Sequence, residues 1–374
     1  MQQTRLHEWH LSHGARMVDF GGWDMPVQYE PGPREEHQRV REAAGLFDID
    51  HMGRVEVSGP DAEAFLQRVQ TWDLSTLKPG RAHYSLLLNE SAGVIDDIFV
   101  YHRDDSGAAP WMLVINAANA PKDIAWLRGQ ARGMRINLRD LRDDTCLVAL
   151  QGPKAMQILQ AMSPSEDFTG LGYHRVVPRS LAGTPVTVCT TGYTGEPGCE
   201  MLLPARDCVK VWDAILEAGS GQRLVPCGLA ARDSLRAEAC FPLYGNEIDE
   251  TTDPHKAGLM RAAVRLEGHE FVGRRALARI ALAPLSEVLV GFQMDEPGVP
   301  RHGYEIAAPE SSGGPVIGRV TTGLFSPSTG KYLGMGYVKA AHAEEGTALG
   351  IVIRGAHKPA RVVARPFYKS PHWR

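Results

Sequence analysis

The chain has 374 residues, of which 43% are hydrophobic and 22% charged, and its formal net charge is −4. This length predicts two or three domains, and a mildly acidic chain without a long basic run argues against nucleic acid as a main partner. No run of about 18 apolar residues occurs and the N-terminus does not resemble a signal peptide, so we expect a cytoplasmic protein without a membrane span.

Helices and strands alternate in the first 140 residues. Apolar spacing and capping signals predict helices over 4–13, 33–44, 61–70 and 122–132. Alternating or continuous apolar runs predict strands over 54–58, 84–88, 94–100 and 111–117. The glycine-rich segment 20–26 is expected to be a loop.

The pattern continues to about residue 282 and then changes. We expect strands over 146–150, 174–178 and 185–190, with helices over 154–162, 206–218 and 229–240. Beyond residue 283, short apolar segments are separated by Gly, Pro and Ser, which predicts a small all-β domain, either a barrel or a sandwich. These segments are 288–292, 316–322, 333–338, 349–354 and 360–366. Residues 282–286 are a plausible domain boundary.

Two adjacent carboxylates, Asp96 and Asp97, interrupt the apolar strand at 94–100. Successive side chains of a strand point to opposite faces, so one of the two must point towards a core or a cavity. A buried unpaired carboxylate is costly and often functional. The other explanation is a structural one, in which Asp96 accepts backbone N–H bonds at a bulge, and this segment alone leaves both open.

Two further segments have polar residues in unusual settings. Residues 190–200 contain three glycines, yet match neither a dinucleotide-binding nor a phosphate-binding loop, so an ordinary β-turn is the more common explanation for such a segment. In the helix at 229–240, Arg232 and Arg236 share one face. They form either a surface salt-bridge face or, because the helix is rich in Ala and Leu, a partly buried face that leaves Arg232 for a ligand.

Metal and nucleophile motifs are lacking in the sequence. The six cysteines include no C-x-x-C pair and the fourteen histidines follow no metal-binding spacing, so we expect no metal site and six unpaired thiols. The acidic segment 243–254 lacks the ligand pattern of an EF-hand. No G-x-S-x-G hydrolase motif occurs.

Eight segments, taken in order along nearly the whole chain, together resemble the T-protein family of the glycine cleavage system. Each is weak alone, but the ordered set is specific to that family. The segments are 17–26, 45–52, 93–97, 150–153, 191–196, 228–233, 244–250 and 325–328.

The resemblance implies an α+β fold in which three domains form a cloverleaf around a central folate cavity. Domain 1 would combine residues 1–52 and 142–282, domain 2 would span 53–141, and the barrel-like domain 3 would span 283–374. The implied activity is transfer of a one-carbon unit from the aminomethyl-dihydrolipoyl arm of H-protein to tetrahydrofolate. Ammonia and 5,10-methylenetetrahydrofolate are the implied products, and no metal is needed.

The resemblance also implies the site residues. Asp96 would be the catalytic carboxylate beside the reactive folate nitrogens, while Glu200 and Arg232 would hold the pterin. A carboxylate can accept from adjacent pterin N–H groups, and a guanidinium can donate to a pterin acceptor. The remaining cofactor-binding residues in the same cavity would be Tyr84, Met52, Asn116, Tyr193 and Arg261.

Two positions depart from the family pattern. Asp50 stands where the family usually has Ser, and Arg261 aligns with a cavity tryptophan. The two either pair with each other or mark a different one-carbon donor, and a folate-dependent demethylase of a methylated amine, sulfonium or aryl ether is therefore an alternative. A third alternative is a folate-binding assembly factor without catalysis, but such relatives carry a Lys-Gly-Cys-Tyr-type motif where this chain has Thr191-Gly192-Tyr193.

Overall fold

The computed structural model describes residues 1–103, 107, 109–309 and 314–372. None of the helices in these ranges is long and apolar enough to cross a membrane. The α-helices are His7–Ser12, Pro33–Glu42, Ala62–Val69, Ala120–Gln130, Ala155–Met162, Cys208–Gly219, Leu229–Glu238, Met260–Ala263 and Arg274–Leu282.

A six-stranded sheet forms the first part of the fold. Its neighbouring strands are antiparallel except for the last pair, which is parallel. In spatial order the strands are Val176–Leu181, Thr184–Cys189, Gly198–Pro204, Thr145–Gln151, Gly45–Asp48 and Val225–Cys227.

An antiparallel five-stranded sheet forms the second part and a closed barrel the third. The strands of the five-stranded sheet are, in order, Arg81–Leu88, Val94–His102, Trp111–Ile115, Gly53–Ser58 and Asn137–Asp140. The barrel strands are, in order, Glu287–Met294, Tyr332–Lys339, Val316–Phe325, Glu305–Ala307, Ala348–Ile353 and Ala356–Val363. The predicted α+β class with a C-terminal barrel is confirmed. The exact domain bounds stay a prediction, which the sheet membership supports.

The segment 20–26 is a correction to the sequence prediction of a loop. Arg16–Phe20 and Trp23–Gln28 form a hairpin, and Gln2–Gln3 extends it to a three-stranded sheet. Gly21 and Gly22 form its two-residue turn with φ values of 59° and 87°. Positive φ at both turn positions suits the right-handed twist of a hairpin, so the glycines mark the turn rather than a long loop.

The cysteines are a second correction. Cys146 and Cys208, both buried in the core of the six-stranded sheet, are joined in a disulfide, so the expectation of six unpaired thiols is wrong for these two. Cys146 lies in a strand and Cys208 begins a helix 62 residues later, and both side chains reach the same core. Sequence spacing alone does not reveal this contact. Within the described residues, the other four cysteines form no disulfide.

A buried cluster fastens the barrel to the six-stranded part, and we call it the barrel joint: His37, Arg41, Glu238, Ser326 and Ser328. Glu238 Oε2 lies 2.9 Å from Arg41 Nη2 and 3.2 Å from His37 Nε2. Ser328 donates to the same carboxylate through its backbone N–H at 3.0 Å and its hydroxyl at 2.6 Å. Because every oxygen of Glu238 has charged or hydroxyl partners, the joint satisfies the acid that it buries.

Candidate functional site

A cavity of about 910 Å³ lies where the six-stranded sheet, the five-stranded sheet and the barrel meet. Its size is within the range of small-molecule and cofactor sites. Aromatic and apolar side chains form most of the wall, with a few polar groups among them. The principal wall residues are Phe20, His51, Met52, Tyr84, Asp97, Phe99, Asn116, Tyr193, Glu200, Arg232, Phe241, Tyr244, Leu289 and Arg365.

Asp97 is the carboxylate that the strand Val94–His102 presents to this cavity. Its Oδ2 accepts a hydrogen bond from the Tyr84 hydroxyl at 3.1 Å, and its Oδ1 accepts one from Asn116 Nδ2 at 2.7 Å. Burial and the negative charge of Asp96 raise the pKa of Asp97 to about 7, against the opposing effect of these two hydrogen bonds. Asp97 is thus poised to gain or lose a proton near neutral pH.

Asp96, the residue expected from the sequence to face the ligand, lies behind the wall instead. Its side chain is 0% exposed and on the same face of the strand as Ile98, which belongs to the apolar core. Strand alternation establishes only that the two acids point in opposite directions, not which of them meets the cavity. The structure therefore moves the cavity-facing position from Asp96 to Asp97.

Donated hydrogen bonds hold the Asp96 carboxylate in this second layer. Asn116 donates to Asp96 Oδ2 from its backbone N–H and to Oδ1 from Nδ2, both at 2.9 Å. Asn119 Nδ2 donates to Oδ1 at 2.6 Å. Asn116 thus bridges the two acids, because its one side-chain amide also binds Asp97.

Glu200 and Arg232 form a polar section of the same cavity wall. The Glu200 Oε2 atom accepts hydrogen bonds from Thr191 Oγ1 at 2.6 Å and from the Tyr101 hydroxyl at 3.1 Å. Neither donor is cationic, so the charge of the Glu200 carboxylate is not neutralised by these contacts.

The Arg232 guanidinium stacks over the Tyr193 ring, 5.0 Å from its centroid. Burial lowers the pKa of Arg232, and the nearby Tyr193 and Glu200 act in the opposite direction. Among the residues that the structure describes, no carboxylate forms a salt bridge with Arg232. An acceptor and a donor therefore both remain available to a ligand at this wall.

The three glycines at 192–198 explain how this wall is built. A Cβ on Gly192 would lie 2.0 Å from Gln151 Oε1, and one on Gly198 would lie 2.4 Å from the Leu150 carbonyl oxygen. Only glycine lets the loop lie this close to the strand Thr145–Gln151. The loop in turn brings Tyr193 to the cavity, so the segment is more than an ordinary turn.

The other residues expected at the site divide into two groups. Met52, Tyr84, Asn116 and Tyr193 line the cavity, whereas Arg261 does not and its side chain is exposed. Its neighbours Leu259 and Ala262 do line the cavity.

Asp50 is also away from the cavity. It is buried between two cations, with Oδ1 at 3.0 Å from Arg54 Nη2 and Oδ2 at 2.9 Å from Arg5 Nη1. The suggested Asp50–Arg261 pair is therefore wrong, because Asp50 neutralises Arg54 and Arg5 instead.

His51 is among the wall residues that were not singled out from the sequence. His51 is 1% exposed and lines the cavity, and its Nδ1 has no hydrogen-bond partner within the described chain. Burial, assisted by the charge of Arg232, lowers the pKa of His51 to about 3, so the imidazole is neutral near pH 7. Its only sequence signal was its position beside Met52 in the segment 45–52.

The described residues contain no group of three or more His, Cys, Asp or Glu side chains placed to hold a metal ion. The cavity wall does present a titratable carboxyl group, Asp97, beside hydrogen-bonding and aromatic side chains.

Known protein families and individual relatives match this chain over nearly its full length. The GCVT N-terminal domain family matches residues 6–267, and the glycine cleavage T-protein C-terminal barrel domain family matches residues 288–369. An aminomethyltransferase of Symbiobacterium thermophilum is 47% identical over 100% of this chain and 99% of its own length. One of Bacillus subtilis is 39% identical, with 99% of each chain covered.

A solved structure also superposes closely. The glycine cleavage system aminomethyltransferase T from Bartonella henselae matches with a TM-score of 0.90 at 34% identity, over 99% of this chain and 98% of that one.

Proposed function

Because this chain belongs to the glycine cleavage T-protein family of aminomethyltransferases, we propose that its cavity binds tetrahydrofolate as the acceptor of the one-carbon unit. The protein is an aminomethyltransferase of the glycine cleavage system. The donor that we propose is the aminomethyl-dihydrolipoyl arm of H-protein, with 5,10-methylenetetrahydrofolate, ammonia and the reduced arm as products. A cytoplasmic location stays a prediction from the sequence.

Recognition of the pterin is proposed for Glu200 and Arg232. The Glu200 carboxylate has accepting capacity beyond its bonds from Thr191 and Tyr101, and it suits the adjacent N–H donors of a pterin edge. Arg232, stacked on Tyr193 in the same wall, has N–H groups for a pterin acceptor. The carboxylate thus selects for donors and the guanidinium for an acceptor.

Apolar and aromatic side chains complete the proposed ligand surface. Met52, Tyr84 and Tyr193 line the cavity and suit the faces of a flat heterocycle. Enclosure by two sheets and a barrel also limits the access of water to the reacting groups, which strengthens electrostatic interactions inside. These features fit a reduced folate.

Asp97 is the residue that we propose for catalysis. Its ionised carboxylate would stabilise the positive charge that develops at the amine as the one-carbon unit is transferred, and it would accept a proton from that amine. Tyr84 and Asn116 fix the orientation of the carboxylate by donating to its two oxygens. A group with a pKa near 7 reaches both protonation states during one turnover at neutral pH.

One observation supports this proposal above the others, namely a buried carboxyl group with a pKa near neutrality in the wall of the cavity that also holds Glu200 and Arg232. The test is incubation with tetrahydrofolate and aminomethylated lipoyl H-protein, with methylenetetrahydrofolate as the measured product. We expect its formation to require both substrates. Absence of product, together with turnover of a small methylated amine, would replace the proposal with the demethylase alternative.

A further inference from the structure

A third buried carboxyl group belongs to Asp123, in the first turn of the helix Ala120–Gln130. It lies beside Asp96, on the side of the strand away from the cavity. It is 0% exposed, and no N–H or O–H group in the described chain donates a conventional hydrogen bond to either of its oxygens. Its carboxyl group is in hydrogen-bonding contact with the carboxyl group of Asp96. An ionised Asp123 in this position would be a buried charge without a donor, which proteins avoid.

The hydrogen bonds decide which of these two acids carries a proton. Two touching carboxyl groups in a buried site resist joint ionisation. Asp96 accepts three N–H bonds, two from Asn116 and one from Asn119, so it is the carboxylate. Asp123 accepts none and is therefore the protonated partner that donates to Asp96. Burial, with the negative charge of Asp96, raises the pKa of Asp123 well above its usual range.

We propose that Asp123 is a positioning residue for the transfer reaction, whose protonated carboxyl group donates a hydrogen bond to Asp96 and so holds the Asp96–Asn116–Asp97 arrangement in place. This inference rests on the proposed catalytic role of Asp97.

The path from Asp123 to the cavity has a specific geometry. Asn116 Nδ2 lies 2.9 Å from Asp96 Oδ1 and 2.7 Å from Asp97 Oδ1, so one amide group links both carboxylates. A shift of Asp96 moves Asn116 and thereby the carboxylate of Asp97. The charge of Asp96 is also one of the causes that raise the pKa of Asp97. Asp123 thus affects both the orientation and the protonation of Asp97.

Lys122, the nearest cation in the sequence, does not serve as the partner of this pair. Its Nζ donates to the Ile95 carbonyl, the Tyr244 hydroxyl and Glu250 Oε1, at distances of 2.9 to 3.1 Å. The titratable groups that face the pair come from the sheet, the helix and the segment that begins at Tyr244; they are Asp97, Tyr84, Lys122 and Tyr244.

An infrared measurement on the protein without substrates tests the buried proton directly. A protonated carboxyl group gives a carbonyl stretch separate from that of a carboxylate, and labelled aspartate identifies it. At pH 8, we expect this band in the parent protein and in Asp97→Asn, and its loss in Asp123→Asn. Absence of the band from the parent protein would overturn the inference. The measurement does not depend on turnover, so it separates failure of this inference from failure of the proposed function.

Kinetics of two substitutions test the positioning role. Asp123→Asn keeps a neutral N–H donor for Asp96, so we expect kcat and the pH profile to stay close to those of the parent. Asp123→Ala removes the donor, so we expect kcat to fall on the order of a hundredfold, as for small misplacements of a catalytic group. The KM for tetrahydrofolate should change little, because Glu200 and Arg232 are untouched.

The pH profile distinguishes positioning from general destabilisation. Without its donor, the Asp96 carboxylate is free to shift and the Asn116 amide moves with it, which weakens the Asn116 hydrogen bond that lowers the pKa of Asp97. The acidic limb of kcat/KM in Asp123→Ala should therefore move to higher pH. Leu127→Ala is the matched control, since Leu127 is fully buried on the same helix. It should lower the melting temperature and leave the limb in place. Equal loss of activity in Asp123→Asn and Asp123→Ala, or an unmoved limb, would overturn the proposal.

Discussion

Two buried acidic clusters in this molecule have opposite electrostatics. In the barrel joint, burial opposes ionisation of Glu238, but the hydrogen bond and charge of His37, together with Arg41, overcome it and lower the pKa of Glu238 to about 2. At the cavity, Asp96, Asp97 and Asp123 have no salt bridge with a cation in the described chain, and burial raises the pKa of Asp97 to about 7.

The difference teaches that burial alone does not mark a functional acid. Glu238, Asp96 and Asp123 are all 0% exposed. What separates the clusters is whether cations complete the site. A neutralised acid such as Glu238 connects two parts of the fold at any pH above about 4.5, whereas Asp97, which has no cation partner in the described chain, keeps a proton within reach near neutrality.

Asp97→Asn is the variant with the largest expected effect. The amide keeps the shape of the carboxylate but loses its charge, so we expect transfer to fall by about 10²–10⁴-fold. The fold should not suffer: an acid whose pKa is raised on folding from 3.8 destabilises the folded protein above that pH, and the neutral amide removes this cost. Turnover assays and thermal melts at pH 8 check both. Retained activity would remove Asp97 from the chemistry.

Glu238→Gln is expected to show the reverse behaviour at the barrel joint. Removal of the Glu238 charge breaks two buried contacts, because His37 loses its carboxylate partner and Arg41 keeps only Glu196, so the free energy of unfolding should fall by about 3–5 kcal/mol. Denaturant unfolding at pH 7 measures this loss. Glu35→Gln is the matched control on the helix of Arg41, because Glu35 forms a partly exposed pair with Arg39 and should cost at most about 1 kcal/mol.

The stabilisation by Glu238 also has a defined pH range. Because its folded-state pKa is lowered from 4.5 to about 2, its contribution is complete above the unfolded value and is lost as the pH falls from about 4.5 through 2. The stability difference between parent and Glu238→Gln should shrink over that range. A difference that stays constant down to pH 2 would show that Glu238 is not held by charge.

Glu200→Ala lies between these two cases. Its carboxylate is held by the hydroxyls of Thr191 and Tyr101 rather than by a cation, and it faces the cavity without being proposed to react. We expect tetrahydrofolate binding to weaken by about 1–3 kcal/mol, with kcat less affected. Calorimetric titration of the folate measures the change. An unaltered affinity would exclude Glu200 from the pterin site.

Arg261→Ala should have the smallest effect. Arg261 is exposed and does not line the cavity, so we expect folate affinity, kcat and melting temperature to match those of the parent. Surface substitutions away from specific contacts usually change stability little. A weaker folate affinity in this variant would mean that Arg261 turns into the cavity when the ligand binds.

Much of the fold followed from the sequence because its signals are local. The run of short segments after residue 283 predicted a small all-β domain, which the family resemblance specified as a barrel, and the apolar run around Asp96 and Asp97 predicted a strand that the structure places inside the five-stranded sheet. The strand Gly198–Pro204 was missed, since the glycines and turn signals before it hid the start of an ordinary apolar strand.

The site was harder to predict from the sequence than the fold, for a physical reason. Alternation places Asp96 and Asp97 on opposite faces but does not reveal which face is the cavity, because that depends on the packing of the neighbouring parts. Glu200 and Arg232 were named through the family resemblance, and their approach to one wall depends on the glycines at 192–198. The proton-bearing role of Asp123 has no sequence signal, since it arises only from contact with Asp96.

The cavity wall is shared by both sheets and the barrel, so none of these parts possesses a complete surface for the substrate. Tetrahydrofolate bound between these parts would contact all three and stabilise the folded protein. The free energy of unfolding would rise by RT ln(1 + [L]/Kd), about 2.7 kcal/mol when the free folate concentration [L] is a hundred times Kd. Under the proposed function, the supply of folate would therefore affect the stability of the protein as well as the rate of transfer. A cell depleted of folate would hold a looser enzyme that proteases remove faster, so that abundance of the protein follows abundance of its substrate.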